Sequence, residues 1–452
     1  MAERIEVDTC VVGAGYAGLT AARRLTQAGT TVAVLEARDR IGGRIWTQPL
    51  SDGSPVDRGG AWLGPDHDAI FALAREVDVS TYKTWVHGAH LLVDHGRIRR
   101  YTGLIPKISP LAIVTIALAQ LRIDRMAKGL PVDAPWTAKH ALEWDSRSVA
   151  DWIAHCRVRT GIAHDLFEMA VRGLMTGDLN EVSLLHLLAL VRGHGSINTL
   201  FSIEGGAQEN MVEGGAGEIA RRVAAALGDA VHLDSPVTSI TDTRDRVVVQ
   251  SERVVVSARH VIVALPPALT LEIDFDPALP ADRIALYRNS VAGPESKTLV
   301  VYDEPFWRGE GFSGQTSEPD SVAEVTLDAT PAAGRPGVVA VFAFSHVAER
   351  VDAMHESDRR QALLDALAAR LGPRAARPAE VIETPWWKEV WTRGCSMAHL
   401  TPGTLTRYGH LIREPFGRVH WAGTETATIS HGAIDGAVRS GERAAAEILN
   451  RL

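Results

Sequence analysis

The sequence predicts an α/β fold that begins with a strand, a helix and a second strand, and three observations support this prediction. An apolar run at residues 7–12 ends directly at Gly13. Helical periodicity follows, with an apolar face formed by Ala17, Ala21, Leu25 and Ala28. Gly29 then ends the helix, and residues 31–35 are an apolar run typical of a buried strand. This order predicts a β-α-β unit whose two strands are parallel neighbours in one sheet.

The turn before the predicted helix has the pattern G-x-G-x-x-G, in Gly13-Ala14-Gly15-Tyr16-Ala17-Gly18. Glycines permit a tight turn and let backbone N–H groups approach a pyrophosphate, which the positive N-terminal end of a helix favours. Glu36 closes the second strand and lies where an acid meets ribose hydroxyls. The motif alone is common in turns. The strand before it, the helix after it and the acid about 20 residues on together predict a dinucleotide site.

The composition excludes several classes of protein. A chain of 452 residues with 46% hydrophobic content predicts a globular protein of two domains. The net charge is −8 and like charges form no block, so we expect no nucleic-acid partner. Cys10, Cys156 and Cys395 are far apart and form no C-x-x-C. This spacing suggests neither a disulfide framework nor a zinc site, and it fits a reducing, cytoplasmic compartment.

The sequence predicts neither a membrane segment nor a metal site. No signal peptide precedes the first strand, and the apolar run at residues 111–119 is too short to span a bilayer, so we interpret it as a core or surface helix. Histidines without metal-ligand spacing are interpreted as ordinary core or surface residues; they are His140, His155, His164, His186 and His194.

The residues after the second strand resemble a known family. Residues 35–44, Leu-Glu-Ala-Arg-Asp-Arg-Ile-Gly-Gly-Arg, are similar to the second FAD fingerprint of the flavin amine oxidases, which include monoamine, polyamine and L-amino-acid oxidases. Further similarity occurs in residues 132–136, 143–145, 297–308 and 419–427. The resemblance covers nearly the whole chain and implies FAD instead of NAD. It implies a Rossmann-type FAD-binding domain of the para-hydroxybenzoate-hydroxylase-like (GR2) fold, with an inserted α+β substrate domain.

The expected domains are discontinuous. Helical periodicity from about residue 80 to residue 200 is broken by prolines and predicts a first insertion. The chain then re-enters the nucleotide domain, where we predict strands at residues 231–240, 246–250, 254–256 and 261–264. A second insertion spans about residues 285–385. We therefore assign residues 1–79, 208–284 and 386–452 to FAD binding, and residues 80–207 and 285–385 to substrate binding.

By residue-by-residue similarity, the resemblance implies a set of FAD contacts. They are Gly13, Gly15, Ala17, Gly18, Glu36, Ala37, Arg38, Gly43, Arg44, Gly59, Gly60, Ala61, Trp62, Val237, Trp386, Cys395, Gly423, Thr424 and Glu425.

The resemblance also implies chemical roles for two further residues, Lys297 and Cys395. Lys297 falls where the family keeps a lysine that reaches flavin N5 through a water molecule; the alternative is a solvated lysine at a strand end. Cys395 falls where monoamine oxidases attach FAD as a thioether, a role that suits a nucleophilic thiolate. Its neighbours Arg393 and Ser396 replace a glycine and a tyrosine of the family, so a buried unreactive thiol is the alternative.

The expected substrate wall departs from the family. Monoamine oxidases flank the amine with two tyrosines, and Ser396 and Ala433 stand at these places here. Loss of the aromatic cage removes a surface that attracts an ammonium and opens space in front of the flavin. The sequence Ser-His-Gly-Ala around His431 instead resembles polyamine oxidases and histone demethylases. The other residues assigned to the substrate cavity are Gln208, Phe201 and Val325.

The sequence therefore predicts an FAD-dependent amine oxidase. It should oxidise a C–N bond to an imine and reduce oxygen to hydrogen peroxide, and water should then release aldehyde and ammonia or a smaller amine. Its expected partners are a small-molecule amine and molecular oxygen, with no membrane anchor; a homodimer is a family expectation. Two alternatives remain at this stage: an FAD-dependent desaturase or cyclase, and a protein that keeps FAD without turnover.

Overall fold

The structure, a computed structural model, describes residues 2–103, 106–156 and 161–451. Its larger sheet has eight strands, which are Glu3–Val12, Val32–Leu35, Val231–His232, Val237–Asp242, Val247–Ser251, Val254–Val263, Asp274–Asp276 and Val419–Trp421. Glu3–Val12 lies between Val32–Leu35 and Val254–Val263 and is parallel to both. The predicted β-α-β unit therefore forms the centre of this nucleotide sheet.

One strand of the nucleotide sheet is longer than its sequence pattern indicates. The sequence predicts separate strands at residues 254–256 and 261–264, whereas Val254–Val263 is continuous. Its first half pairs antiparallel with Val247–Ser251, and its second half pairs parallel with Val419–Trp421. The polar residues between the halves interrupt the apolar pattern, but the backbone pairing with Glu3–Val12 runs through them.

The helix that follows the glycine motif packs between the nucleotide sheet and the last helix of the chain. This glycine-loop helix spans Tyr16–Gln27, and the last helix spans Ile434–Leu449. The two helices cross closely, since a Cβ on Gly441 would lie 2.2 Å from the carbonyl oxygen of Ala17. This contact places the N-terminus of the last helix beside the glycine loop.

A second sheet joins the two predicted insertions. Its seven strands, in spatial order, are Glu380–Pro385, Glu295–Tyr302, Gly337–Phe344, Val325–Asp328, Phe312–Ser317, Ala89–Asp94 and Arg97–Tyr101. Phe312–Ser317, from the second insertion, pairs parallel with Ala89–Asp94, from the first. The two insertions thus share one sheet, as a single substrate domain requires, while the domain bounds given above stay a prediction.

The prediction of helix from residue 80 onward is wrong for the first twenty residues. Thr81–Lys83, Ala89–Asp94 and Arg97–Tyr101 are strands. The last two form a hairpin around His95 and Gly96, which both have positive φ. A two-residue turn of this kind matches the twist of the strands it connects, and pairing across it overrides the weak helical pattern.

Helices dominate the rest of the first insertion and form one wall of the molecule. They are Pro110–Lys128, Ala141–Asp145, Val149–His155, Ile162–Met175, Leu184–Gly193 and Ile197–Phe201. Pro110–Lys128 packs on the helices Ile162–Met175, Leu184–Gly193 and Ile197–Phe201. In the part of the chain that the structure describes, no helix is long and apolar enough to cross a membrane.

The remaining elements are short or peripheral. The other α-helices are Asp68–Glu76, Gly217–Leu227, Pro267–Thr270, Ala281–Arg288, Phe306–Gly309, His346–Asp352, Glu356–Leu371 and Thr404–Tyr408. Single 3₁₀ turns are Pro135–Thr137, Gly228–Ala230, Pro373–Ala376, Trp386–Lys388, Gly409–Ile412 and Thr424–Thr426. Small sheets pair Thr47–Pro49 with Pro55–Asp57, Ser290–Ala292 with Ala398–Leu400, and Asn210–Val212 with both Trp62–Leu63 and Thr81–Lys83.

Candidate active site

A cavity of about 510 Å³ runs from the glycine loop to the helical wall. We call its two ends the glycine-loop end and the helical end. The glycine-loop end is lined by residues that include Gly13, Gly15, Glu36, Arg38 and Val237. The helical end is lined by residues that include His67, Gly173, Leu174, Leu190, His194, Leu200, Ala207, Gln208 and His431.

The three glycines of the motif have three different roles. Gly13 has a φ of +101°, which a residue with a side chain rarely adopts. A Cβ on Gly18 would lie 1.9 Å from the carbonyl oxygen of Gly13, so Gly18 allows the helix to pack against the turn. A Cβ on Gly15 meets no atom closer than 4.0 Å, the Cα of Gly43, and Gly15 lines the cavity. Only Gly15 therefore keeps open a space that a ligand can fill.

Glu36 fixes the glycine loop and also lines the cavity. Its Oε2 accepts a hydrogen bond from the backbone N–H of Ala14 at 2.8 Å, and its Oε1 accepts one from the N–H of Arg38 at 3.0 Å. The carboxylate is buried. It thus holds the loop in its ligand-binding shape, and the remaining lone pairs of the two oxygens can accept from ribose hydroxyls.

Arg44 lines the cavity and forms a bidentate ion pair with Glu425, which lies behind the lining. The distances are 2.6 Å from Nη1 to Oε1 and 2.9 Å from Nη2 to Oε2. Arg44 also donates to the carbonyl oxygen of Ser396 at 2.7 Å. Burial acts to raise the pKa of Glu425, but the charge and hydrogen bonds of Arg44 outweigh it and hold this pKa below its usual value.

The last helix begins at the cavity. Ala433 and Ile434 line it, and no side chain caps the N-terminus of this helix. A Cβ on Gly436 would lie 2.2 Å from the carbonyl oxygen of Ser430, so the first turn packs tightly on the segment before it. The positive end of the helix dipole therefore faces the cavity, which favours negative charge on a ligand there.

Lys297 lies behind the glycine segment at residues 59–61, within the protein core. Its side chain is 2% exposed, and Nζ donates to the carbonyl oxygen of Gly59 at 2.7 Å. Nζ also lies 4.8 Å from the ring centre of Trp62 and 5.6 Å from that of Phe342. The alternative of a solvated lysine is therefore wrong. Lys297 does not line the main cavity; it lines a neighbouring one of about 320 Å³ that shares Ala61 with it.

Burial sets the charge of Lys297 near neutral pH. It lowers the pKa of the ammonium to about 8, against the opposing effect of the Asp57 and Glu295 carboxylates. Glu295 lies two residues away on the same face of the strand, and burial raises the pKa of its carboxyl group to about 7. The ammonium therefore predominates at pH 7 and loses its proton near pH 8, and the two carboxylates favour its charged form.

Cys395 lines the cavity as a free, buried thiol. Burial and the nearby Glu295 raise the pKa of this thiol well above its usual range, while Arg44 and Lys297 act in the opposite direction. Trp386, which was also expected to contact the cofactor, does not line the cavity. Its Nε1 donates to the carbonyl oxygen of Arg58 at 2.9 Å, so it supports the glycine segment from behind.

The structure brings most of the expected cofactor residues together. Those that line the cavity are Gly13, Gly15, Ala17, Glu36, Ala37, Arg38, Gly43, Arg44, Gly60, Ala61, Trp62, Val237, Cys395, Gly423 and Thr424. Four others lie behind this lining, namely Gly18, Gly59, Trp386 and Glu425. Sequence reasoning missed lining residues that lie next to recognised motifs in the fold, among them Tyr16, Ser235, Pro236, Thr238, Leu265, Glu272, Trp391 and Thr392.

Four of the five main substrate candidates line the cavity, namely Gln208, Ser396, His431 and Ala433. Gln208 donates from Nε2 to the carbonyl oxygen of Leu200 at 3.4 Å. Phe201 does not line the cavity, because Leu200 takes that place and Phe201 packs on the hydrophobic core. The reason is the helix at Ile197–Phe201, in which neighbouring residues point in different directions. Val325 lies in the second sheet, also away from the cavity.

Two histidines at the helical end were not predicted there. His194 was interpreted as an ordinary core or surface residue, but it lines the cavity and its Nε2 lies 2.9 Å from the carbonyl oxygen of His431. His67 lines the cavity beside it, with ring centres 6.2 Å apart. Burial lowers the pKa of His67 and of His431 to about 4, and that of His194 below its usual value. These imidazoles are therefore neutral at pH 7.

The acidic residues that line the cavity belong to other parts of its wall, and Asp435 and Glu425, which act on these histidines, do not line it. Glu36 belongs to the glycine loop, and Glu272 pairs with Arg393 beside the lining residues Trp391 and Thr392. No carboxylate lines the helical end among the described residues. Within them, no group of three His, Cys, Asp or Glu side chains is placed to hold a metal ion.

Comparison with known proteins gives the family of the chain. Residues 16–449 match the family described as flavin containing amine oxidoreductase. The chain belongs to this family. As a member of the flavin-containing amine oxidoreductases it is an enzyme that oxidises amines, and its cofactor is FAD.

Relatives within the family include proteins from bacteria and animals. The chain is 39% identical to AofH of Mycobacterium tuberculosis, a flavin-containing monoamine oxidase by name, over 98% of this chain and 96% of the relative. It is 36% identical to the flavin-containing amine oxidase A of Equus caballus, over 98% of this chain and 85% of the relative.

Solved structures have the same fold. A putrescine oxidase bound to putrescine superposes with a TM-score of 0.95 at 30% identity, covering 99% of this chain and 100% of the other. A cyclohexylamine oxidase from Brevibacterium oxydans superposes with a TM-score of 0.94 at 31% identity, covering 98% and 99%. The expected FAD-binding fold with an inserted α+β part is thus confirmed.

The residues present fit FAD. Gly15 keeps open the space that a Cβ would fill beside Gly43, and the N–H groups of the glycine-loop helix point toward it. Glu36 lies where it can accept from the ribose, and the cavity continues past Arg44 to the uncapped N-terminus at Ala433. These features would hold the ribose, the pyrophosphate and the flavin along one continuous cavity.

Proposed function

We propose that this enzyme oxidises the C–N bond of a bulky monoamine that carries no second charge. The product would be an imine, and water would convert it to a carbonyl compound with release of ammonia or a smaller amine. Molecular oxygen would be the electron acceptor and hydrogen peroxide the second product. The observation that carries this proposal is the lining of the helical end, which includes no carboxylate among the described residues and has small side chains, not an aromatic pair, at positions 396 and 433.

The small side chains at these two positions support a bulky substrate. Ser396 and Ala433 line the cavity where two rings would narrow it. Their small volume leaves room for a branched or alicyclic group, and the surrounding leucines, such as Leu174, Leu190 and Leu200, offer apolar contact. Trp421, an aromatic residue near this segment in the chain, is buried in the core and does not replace the rings.

The absence of a carboxylate from the helical end supports a substrate with one amine. Asp435 and Glu425 act on the histidines of this end, but they are already paired with Arg439 and Arg44 and do not line the cavity. A second ammonium there would lack a free opposite charge and would keep only part of its hydration, which costs several kcal/mol. His67, His194 and His431 are neutral at pH 7 and offer hydrogen bonds instead. Neutral partners also suit the reactive amine, because the lone pair on nitrogen must be free before a C–N bond is oxidised.

Bound FAD supplies the hydride acceptor for this reaction. The side chains described above would orient the amine and exclude water from it, and Gln208 is the amide that can bond a polar group of the substrate. Lys297 would act near the reacting end of the flavin through water, as a positive charge that can also release a proton. Its hydrogen bond to Gly59 and its burial support this position.

A peroxide-coupled assay of the purified yellow enzyme tests the proposal. Cyclohexylamine, benzylamine and putrescine would be compared at equal concentrations, with flavin bleaching under anaerobic conditions as a second readout. We expect kcat/KM for cyclohexylamine to exceed that for putrescine by at least about a hundredfold, the effect of one uncompensated charge. Equal or better turnover of putrescine would contradict the single-charge assignment. Failure of every amine to bleach the flavin would contradict amine oxidation by this site.

A further inference from the structure

The helix Pro110–Lys128 has an unusual outer face. Its inner face buries Ala112, Ala119, Ile123 and Ala127 against the neighbouring helices. On the opposite side, Leu111, Val114, Leu118 and Leu121 follow the three- and four-residue spacing of one helix face. Their side chains are 76%, 52%, 50% and 65% exposed, respectively. A surface helix of a globular protein normally presents polar residues to solvent, so this helix has two apolar faces.

The same side of the helix continues into a cationic segment. Arg122, Arg125 and Lys128 are exposed and fall on the helix side that carries Leu118 and Leu121. None of these three cations forms an ion pair with a described residue, although Arg122 also lies within hydrogen-bonding reach of the Cys156 thiol. We define the outward face as the four apolar residues together with these three cations.

No carboxylate balances these charges on the helix. Its one acidic residue is Asp124, whose Oδ1 accepts from the backbone N–H of Ile197 at 2.8 Å and so is turned toward the protein. The chain leading into the helix is also basic, because residues 97–128 contain seven Lys or Arg and one Asp. The whole chain, by contrast, has a net charge of −8. Positive charge is thus concentrated beside the exposed apolar residues.

We propose that the outward face of Pro110–Lys128 docks on the surface of an anionic lipid bilayer. An apolar stripe with Lys and Arg beside it matches the boundary between acyl chains and negatively charged headgroups, and such a helix lies in the plane of the interface. The helix lies on the bilayer and does not span it, since it carries four charged residues among nineteen. A second copy of this chain is a poorer occupant, because its outward face would bring three more cations and no carboxylate.

The position of this helix relates the docking face to the cavity. Its inner face packs on the helices Ile162–Met175, Leu184–Gly193 and Ile197–Phe201, and each of them contributes residues to the helical end of the cavity. One layer of helix therefore separates the outward face from the wall of the substrate site. Docking there would hold the substrate end of the enzyme beside a bilayer, where apolar amines accumulate. The lipid contact itself does not depend on which amine is oxidised.

Vesicle co-sedimentation of the full-length, FAD-loaded enzyme tests this proposal. The probes are vesicles of phosphatidylcholine alone and vesicles of equal parts phosphatidylcholine and phosphatidylglycerol, at low and high salt. The variant Leu111→Ser/Leu118→Ser removes apolar contact, and Arg122→Gln/Arg125→Gln removes charge. Leu142→Ser is the matched apolar control, because Leu142 is 75% exposed on a different helix. Arg407→Gln, also exposed on another helix, is the matched charge control.

We expect the wild type and both controls to bind the anionic vesicles and to be released by salt. Each double variant should bind at least about tenfold more weakly, while its flavin absorbance and amine oxidation stay unchanged and show that it is folded. Failure of the wild type to bind either vesicle would overturn the proposal, and so would equal loss of binding in a control. Sedimentation velocity without lipid tests whether a second copy of this chain occupies the face instead. A dimer that dissociates in the variant Leu111→Ser/Leu118→Ser would identify the face as a subunit interface and would overturn the proposal.

Discussion

Arg44 and Glu425 are joined by two hydrogen bonds, of 2.6 and 2.9 Å, although 381 residues separate them in the chain. Arg44 ends the segment after the second strand, and Glu425 belongs to the turn before the last helix. The pair therefore joins the first and last parts of the chain at the wall of the cavity. Because both groups are largely removed from solvent, each depends on the other for compensation of its charge.

Removing one partner of this ion pair should lower the stability of the protein. Arg44→Met leaves Glu425 without its partner, and we expect a loss of about 3–5 kcal/mol in the free energy of unfolding together with weaker FAD retention. Thermal unfolding and the ratio of flavin to protein absorbance measure the two effects. Arg24→Met is the control, because its partners Glu76 and Glu442 lie on the surface and should contribute about 1 kcal/mol or less. Equal losses in the two variants would show that the buried pair has no special importance.

Valine substitutions should separate the roles of two motif glycines. Gly15 has an ordinary φ of −74° and no close neighbour, so Gly15→Val should fold and lack FAD. Gly18→Val should fail to fold, because its Cβ would collide with the carbonyl oxygen of Gly13. Circular dichroism and flavin content distinguish the two outcomes. Gly309→Val, at a site with no atom within 4 Å, should keep both fold and flavin. A flavin-replete Gly15→Val variant would remove this residue from the proposed pyrophosphate site.

Reoxidation of the flavin should depend on the charge of Lys297. Its lowered pKa means that the ammonium is present below pH 8 and is lost as the pH rises through about 8, well before a free lysine would titrate. A positive charge near the flavin favours the reduction of oxygen, so the rate of reoxidation should fall across this range. In Lys297→Met the rate should be low and should not change there. Stopped-flow mixing of the reduced enzyme with oxygen at several pH values measures it.

Two variants make the test of Lys297 specific. Glu295→Gln removes a carboxylate that favours the ammonium, so the pH at which the rate falls should move to a lower value. Lys388→Met is the control, since Lys388 also lies over a tryptophan ring, at 4.9 Å from Trp387, but is solvent-exposed. If the wild type shows no change in rate between pH 7 and about 9, charge at Lys297 is not the controlling factor.

Restoring the missing rings should change the substrate preference. Ser396→Tyr/Ala433→Tyr places two aromatic groups where the cavity is now wide, which should align flat arylalkylamines and exclude bulky ones. We expect kcat/KM to rise by about tenfold for benzylamine and to fall by at least as much for cyclohexylamine. Steady-state peroxide assays measure both constants. If the wild type already prefers benzylamine, the interpretation that Ser396 and Ala433 leave space for a bulky amine is wrong.

Covalent attachment of FAD should depend on Cys395. Acid precipitation should leave yellow colour in the wild-type pellet and release it to the supernatant in Cys395→Ser. Because burial and Glu295 raise the pKa of this thiol, little thiolate forms at pH 7, and attachment should become faster as the pH of reconstitution rises. Absorbance of the two fractions provides the measurement. Complete release of FAD from the wild type at every pH would leave Cys395 as an unreactive core thiol.

The nucleotide part of the molecule could be predicted from sequence because its signals are local. The turn geometry at Gly13, the close packing at Gly18 and the open space at Gly15 are requirements of a few adjacent backbone atoms, and they restrict the residue type directly. The strands beside this loop are buried on both faces, so they appear as continuous apolar runs. Motifs of this kind also carried the family resemblance, from which FAD followed.

Where neighbours in space decide the structure, the sequence pattern was less informative. The strand Val254–Val263 appears as two apolar runs, yet one partner strand pairs along its whole length. The hairpin Ala89–Tyr101 has its partner strand more than 200 residues later in the chain, at Phe312–Ser317. Leu200 and Phe201 are adjacent in the chain, and only the packing of their short helix determines which of them lines the cavity.

By itself, the sequence predicted an α/β flavoenzyme with a glycine-loop dinucleotide site, a lysine at position 297 whose burial it left open, and a substrate wall without two tyrosines. The tertiary structure alone decided which distant side chains meet at that wall and which stay exposed. His67 precedes the helix Asp68–Glu76 and His194 follows the helix Leu184–Gly193, and the fold brings both to one cavity with ring centres 6.2 Å apart. The exposed leucines of Pro110–Lys128 have the same apolar periodicity as core residues, and only the packing of the helix shows that solvent covers them. The physical reason is that apolar periodicity indicates a face to be covered, while long-range packing selects what covers it.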